Sequence, residues 1–436
     1  MDLRHIEDVI KDCKGGIIEK KEMVISNLEE LKDQDRDGID SSNALQMFLN
    51  HILISSIPGI RNSGVLELKS EECLRDAIKL LYEKNVFGAP IVDYVMNSND
   101  GNYDTNTKFS DRYIGFIDFA RMVLWSLEER EKSNIKHEET KEISNSGILS
   151  MLEEIPHIGQ TKVIELAKSF LWDPFFPVHL EDTLFHVLLL LSKHRLQVVP
   201  VMERSNSRVI GFVTQIAVVQ LLLQSTGLDW FDRIADKSLS EFRFENNGSL
   251  VYVYGDQSIS DALHSLWENR VNGIPVIDRE TKKLIGSVRI NDIHLLTNDK
   301  LFRDRKTLTV EQFIHSDTRR TETSLDPMIE RDVGAFLSAA FLRLKSEFLP
   351  RMDFPVTNRK TDTLKQAMRV LVESKSNCSF LVDEFSHLTG VVTLRDIIIQ
   401  FSPPSIDSRI NGAGFFQSAL EQSGCHVENA KIVRNN

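Results

Sequence analysis

One pattern, repeated four times, constrains this chain more than any other feature. Apolar residues at i, i+3, i+4 and i+7 mark one face of a helix. That template fits Leu74, Ala77, Ile78 and Leu81, and again Leu184, Val187, Leu188 and Leu191. It recurs at Ile259, Ala262, Leu263 and Leu266, and at Leu364, Ala367, Met368 and Leu371. Sixteen positions after each first leucine or isoleucine comes the same place in a short apolar strand: Pro90, Pro200, Pro275 and Phe380. A polar loop follows, and then a glycine-led frame: "GFIDFARM" (115–122), "GFVTQIAV" (211–218), "GSVRINDI" (286–293) and "GVVTLRDI" (390–397). A constant offset over four copies identifies an internal repeat. Each copy reads as strand, helix, strand, strand, helix, and turn or cap residues precede the first helix in copies two to four ("EDT", "GDQS", "KTDT"). A unit of about 60 residues buries too little surface to stand alone. Pairing of copy one with two, and of three with four, is therefore expected.

The bulk composition is that of an ordinary globular chain, with 41% hydrophobic and 27% charged residues. Its 436 residues suggest two to four domains. The net charge of −12 argues against nucleic-acid or anionic-membrane partners. Cys13, Cys73, Cys378 and Cys425 lie far apart without ligand-like spacing, which predicts reduced thiols and no metal site. The first residues carry acids and no apolar core, unlike a secretory signal. The longest apolar run, "VLLLL" (187–191), falls far short of the roughly 20 residues needed to cross a bilayer. These features predict a soluble protein without a membrane partner.

The repeat layout resembles the cystathionine β-synthase (CBS) domain. The wider match is to the γ regulatory subunit of the AMP-activated protein kinase family, in its plant form above all. The stretches that carry the likeness are "SSIPGI" (55–60), "DRYIGFIDF" (111–119), "WDPFFPV" (172–178) and "LLLLSKHRLQVVPV" (188–201). To these are added "DWFDRIADKSLSEF" (229–242), "TKKLIGSVRINDI" (281–293) and "TGVVTLRDII" (389–398), so that the resemblance spans roughly residues 50 to 403. It implies an α/β (α+β) fold of four CBS repeats, in two tandem Bateman modules with a disc-like arrangement. It also implies assembly with a kinase catalytic (α) subunit and a β scaffold subunit, binding of AMP, ADP or ATP between repeats, and a cytoplasmic and nuclear setting. No cofactor is required by this reading. The expected divisions are an N-terminal helical extension (1–54), CBS 1 (55–128), a charged linker (129–162), CBS 2 (163–226), CBS 3 (229–298), CBS 4 (305–403) and a flexible tail (404–436).

Three segments outside the repeats invite other readings. Asp33, Asp35, Asp37 and Gly38 begin a calcium-like loop, but position twelve, which needs a bidentate Glu, is Ala44. The segment therefore reads as a solvated loop. Residues 129–162 are rich in Glu and Lys and read as a solvated linker or exposed helix. Copy four carries an insertion at 317–351, in which Val333, Phe336, Leu337, Ala340, Phe341, Leu344 and Phe348 form a broad helical stripe. Such a stripe packs on its own domain or docks a partner.

The glycine-led frames are the candidate ligand site. A hydroxyl ending a strand and a carboxylate opening the next helix can hold a ribose, with Arg side chains from nearby taking phosphate. A Thr and an Asp in this spacing also make an ordinary helix cap. Both readings stand for Thr393 and Asp396, the pair that the resemblance identifies with nucleotide binding. Copy three keeps Asp292 but has Arg289 in place of the hydroxyl, and copy two keeps Thr214 but has Ala217 in place of the carboxylate. Copy one has Asp118 and Arg121. Animal and fungal relatives carry a His-Arg pair where this chain has Gln197 and Val198, and again where it has Asn377 and Cys378. Arg289, Arg195, His194 and Arg270 are the candidate phosphate contacts that remain.

Hydrolase, P-loop, zinc-protease and kinase signatures are missing from the sequence. The expectation is a non-catalytic γ-type subunit of a heterotrimeric serine/threonine energy-sensing kinase. The alternative is a stand-alone tandem CBS sensor of small molecules that acts as a homodimer.

Overall fold

In a computed structural model of the chain, the residues described are 41–57, 60, 65–93, 113–136, 147–168, 173–194, 196–205, 208–242, 244, 250–316, 342–345, 349–402, 425–428 and 431–434. The four copies build the same unit. A two-residue strand (Leu68–Lys69, Val178–His179, Val253–Tyr254 or Thr357–Asn358) leads to the first helix. These helices are Leu74–Glu83, Leu184–Lys193, Ile259–Asn269 and Leu364–Glu373. In three of them the buried residues are the stripe of the sequence template, whereas Leu184–Lys193 is buried on nearly every side. The central strands are Gly88–Val92, Val198–Met202, Gly273–Ile277 and Cys378–Val382. Each pairs in parallel with the short first strand and antiparallel with a third: Tyr113–Asp118, Val209–Thr214, Leu284–Arg289 or Leu388–Thr393. The register is shared, since the offset residues Pro90, Pro200, Pro275 and Phe380 face Phe116, Phe212, Ser287 and Val391.

The expected pairs form, and the chain leading into each repeat helps to join them. Asp173 and Pro174, which precede repeat two, pair with Phe116 and Gly115 of repeat one. In return Ile60, which precedes repeat one, brings its carbonyl to Gly211 of repeat two, where a Cβ would stand only 2.7 Å away. Repeats three and four are joined by a similar crossing: Ser287 N donates to Met352 O at 2.8 Å, and a Cβ on the neighbouring Gly286 would lie 2.8 Å from that oxygen. Glycine is required at both places because a neighbouring backbone occupies the side-chain volume.

A second layer of contacts runs across the pairs. Helix Phe119–Lys136 of repeat one packs on helix Ile259–Asn269 and on the 3₁₀ helix Ile290–Thr297 of repeat three. Helix Gln215–Leu223 of repeat two packs on Leu364–Glu373 and Leu394–Phe401 of repeat four. One apolar core thus joins mainly repeats one and three, and another mainly two and four. Helix Gln215–Leu223 shows why: Ile216, Ala217, Val218, Val219, Leu221 and Leu222 are all buried. A helix apolar on every side needs neighbours on every side.

Further elements lie outside the repeats. Helix Ser41–His51 buries Leu45, Phe48 and Leu49 in the two-four core, with the Phe48 and Trp230 rings 5.5 Å apart. The calcium-like residues Asp33 to Gly38 lie outside the described residues. Segment 129–162 is not simply a solvated linker, because Ile148–Glu154 and Pro156–Gly159 are helices that bury Ile148, Met151, Leu152 and Ile158 in the one-three core. Charge dominates the composition there, but these apolar residues share one face and decide the packing. Of the insertion stripe, Val333, Phe336, Leu337, Ala340, Phe341 and Phe348 lie outside the described residues, whereas Leu344 is buried against repeat one, as is Leu342 beside the stripe. There Phe87 N donates to Leu342 O at 2.6 Å, Leu344 N to Asn85 O at 3.3 Å, and Lys345 N to Asn85 Oδ1 at 2.7 Å. The Lys345 ammonium sits 3.4 Å from the centre of the Tyr82 ring. The tail, expected to be flexible, carries a two-stranded antiparallel hairpin, Cys425–Glu428 with Lys431–Arg434. No helix among the described residues is long and apolar enough to cross a membrane.

Leu364 is fully buried at the first position of its stripe. Leu364→Ala should destabilise the chain by about 2–5 kcal/mol. The measurement is urea unfolding beside the exposed control Lys360→Ala, which should change stability by less than about 0.5 kcal/mol.

Candidate functional site

The strand-to-helix turn of repeat four is a complete capping box. Thr393 ends its strand in an extended conformation (φ −103°, ψ 162°) and caps helix Leu394–Phe401. Its backbone N–H donates to Asp396 Oδ2 at 2.8 Å, its hydroxyl donates to the same oxygen at 2.6 Å, and Asp396 N donates back to Thr393 Oγ1 at 3.1 Å. Asp396 is buried. Thr393 faces Cys378 in the strand register. Burial pushes the Cys378 thiol up to about 11, with Arg289 opposing the shift and Asp396 adding to it. Arg289 belongs to repeat three, so groups from both repeats of the pair converge on this sulfur. The structure thus brings together Thr393, Asp396 and Arg289 around one residue that sequence comparison had treated only as a lost arginine position.

In repeat three the carboxylate keeps its place and the hydroxyl does not. Arg289 N donates to Asp292 Oδ2 at 2.9 Å, as Thr393 N does to Asp396. The Arg289 guanidinium then grips the same carboxylate through Nε (2.9 Å, Oδ2) and Nη2 (3.0 Å, Oδ1), and Nη2 also donates to Pro350 O at 2.6 Å. Arg289 is 8% exposed and Asp292 0%. A buried, bidentate pair of this kind is a strong and directional contact. Arg289, a candidate phosphate contact from the sequence, is engaged on its own Asp292 in the structure.

Repeat one reaches a similar arrangement with the residue types exchanged. Arg121 N and Nε lie 2.7 and 3.2 Å from Asp118 oxygens, and Arg121 Nη1 donates to Asp173 Oδ1 at 2.9 Å. Burial works against the Arg121 charge, yet Asp118 and Asp173 outweigh it and raise the pKa. Burial pushes Asp118 up to about 6 against the pull of Arg121, which leaves the carboxylate ionised at neutral pH. In repeat two Thr214 is a plain cap, accepting from Ala217 N at 3.3 Å.

The other phosphate candidates have settings of their own. His194 closes helix Leu184–Lys193 and packs on Phe176, ring centres 4.5 Å apart, where burial lowers its pKa. Arg270 is exposed, in a left-handed conformation (φ 53°) at the end of helix Ile259–Asn269. Arg195 lies outside the described residues. Gln197 Nε2 instead reaches Asn272 Oδ1 of repeat three at 3.4 Å. Asp173 and Pro350 escaped sequence reasoning, although "WDPFFPV" (172–178) and "PRMDFPV" (350–356) end alike and precede repeats two and four. Among the described residues no group of His, Cys, Asp and Glu converges as a metal site.

Comparison with known proteins agrees with this architecture. Residues 167–224, 247–295 and 353–402 each match the CBS domain family. Over most of its length it is similar to the SNF1-related protein kinase regulatory subunit gamma-1 of Arabidopsis thaliana, at 26% identity over 85% of this chain and 86% of that protein. A gamma-1-like subunit from the same plant is 25% identical over 89% of this chain and 95% of its own. The fold is shared with a Methanocaldococcus jannaschii protein proposed as an archaeal homologue of the AMPK γ subunit (TM-score 0.50, 15% identity, 80% of this chain and all of that one).

The position of Cys378 makes a prediction. A thiol pushed up to about 11 should react with iodoacetamide at pH 8 about two orders of magnitude more slowly than in the unfolded chain. Mass-spectrometric mapping with and without urea reads this, and fast labelling of Cys378 in the folded protein would contradict the described burial.

Proposed function

We propose that this chain is a non-catalytic regulatory subunit of γ type, which assembles with a kinase catalytic subunit and a β scaffold and holds an adenine nucleotide at the Thr393–Asp396 turn. The observation that carries the reading is similarity to the plant γ subunits along most of both chains, over a framework of four repeats. Among the four glycine-led frames, only that of repeat four carries both hydroxyl and carboxylate at its turn. Asp396 would accept from the ribose diol, and Thr393 would turn its hydroxyl to ribose or phosphate. Neighbouring strand backbone and apolar side chains would take the adenine.

With Gln197 and Asn377 before the central strands instead of basic residues, phosphate is held weakly, and AMP, ADP and ATP are discriminated less than in animal relatives. Regulation then follows from differential affinity: a nucleotide that prefers one arrangement of subunit and kinase shifts the population towards it.

Two experiments test this reading. Asp396→Ala should weaken AMP binding in calorimetric titration by about 1.5–3 kcal/mol, the range for hydrogen bonds to a charged group. A loss of about 1 kcal/mol in stability with unchanged affinity would leave the turn as a helix cap alone. Purification from native extract at near-physiological salt should yield a kinase and a β subunit. Self-association with neither would favour the stand-alone homodimeric sensor.

A further inference from the structure

We propose that Arg289 is a built-in occupant of the repeat-three site, holding Asp292 so that a purine nucleoside monophosphate binds only when this side chain is replaced. The inference rests on the nucleotide reading of the Thr393–Asp396 turn and adds what decides which turns can bind.

The two turns of the pair occupy equivalent positions in the strand register. Arg289 and Thr393 each end the third strand, opposite the first residue of the central strand, Gly273 and Cys378 respectively. Both carboxylates cap their helices from the same position, with backbone N to Oδ2 distances of 2.9 and 2.8 Å. The repeat-three site therefore has its carboxylate in the orientation that repeat four shows.

What differs is the side chain that meets it. Thr393 offers one hydroxyl to one oxygen, whereas the guanidinium covers both oxygens of Asp292. A ribose diol, whose donors are uncharged, would have to displace a bidentate ion pair from Asp292, and so it loses the competition. The arginine stem also fills the space beside Gly273, whose Cβ would stand 3.4 Å from Arg289 Cγ and 3.5 Å from Cys378 Sγ.

The third bond, to Pro350 O, makes the lock a clamp as well, since Pro350 lies on the lead-in to repeat four. Repeat one repeats the device: Arg121 is engaged by Asp118 and reaches Asp173 on the lead-in to repeat two. In both pairs the first repeat spends its arginine on its own carboxylate and on the chain entering the second.

The test is the stoichiometry of AMP bound to the full chain, by calorimetric titration. Wild type should bind one AMP per chain. Arg289→Thr rebuilds the Thr-x-x-Asp pair and should bind two, the second within about tenfold of the first. Adding Asp292→Ala should return the count to one. Unchanged stoichiometry in a folded Arg289→Thr protein would overturn the lock while leaving the nucleotide reading intact. Two AMP per wild-type chain, one of them lost on Asp292→Ala, would overturn it as well. Binding by neither wild type nor Arg289→Thr would remove both ideas, whereas binding by the variant alone would support the lock and relocate the natural ligand. Should Arg289→Thr fail to fold, Arg289→Ser supplies the hydroxyl in a smaller side chain and likewise removes the stem. It should likewise gain a site, and no gain would count against the proposal.

Discussion

The crossing of the chain between paired repeats is the interaction on which the rest depends. A three-stranded sheet of this size leaves an edge and a face uncovered, and the covering is supplied by the segment that leads into the neighbouring repeat. Asp173 and Pro174 do this for repeat one, Ile60 approaches repeat two, and Met352 serves repeat three. The crossings place the ends of the third strands beside a neighbour's backbone, and there the capping turns lie. Site and pairing are therefore one construction: what closes the pair also furnishes or occupies the turn.

Much of the fold was legible because it is periodic. The stripes beginning at Leu74, Ile259 and Leu364 are buried residue for residue, and a helical period together with a fixed offset to a strand leaves little freedom. Leu184–Lys193 was legible as a helix, but its burial on nearly all sides needs more neighbours than one partner repeat can supply. The packing of repeat one on three and two on four was not foreseen, because it depends on contacts between residues far apart in sequence. The burial of the helices within 129–162 was not legible, for a different reason. Abundant Glu and Lys hid a short apolar face at Ile148, Met151, Leu152 and Ile158.

At the turns, sequence identified residue types but not engagements. Thr393 and Asp396 were read both as cap and as ligand contact, and the geometry gives a complete cap whose atoms suit either use. Arg289 looked like a phosphate donor because an arginine near a binding motif usually is one. Its true neighbours, Asp292 three residues on and the Pro350 carbonyl 61 residues away, are both within reach of one side chain only in the folded pair. A local motif displays the near partner and conceals the remote one.

The short segment at Leu342–Lys345 carries a consequence for how the chain reaches this state. Its bonds to Asn85 join residues 260 positions apart. With the one-three and two-four cores also interleaved, the first half of the chain has no finished surface of its own. As synthesis proceeds, the edge at Asn85–Phe87 and the outer face of helix Phe119–Lys136 stay exposed until much later residues emerge. Distant contacts of this kind slow folding and prolong the exposure of apolar surface. The same threading means that a cut between repeats two and three would not release two independent modules, because each half would carry one open side of both cores.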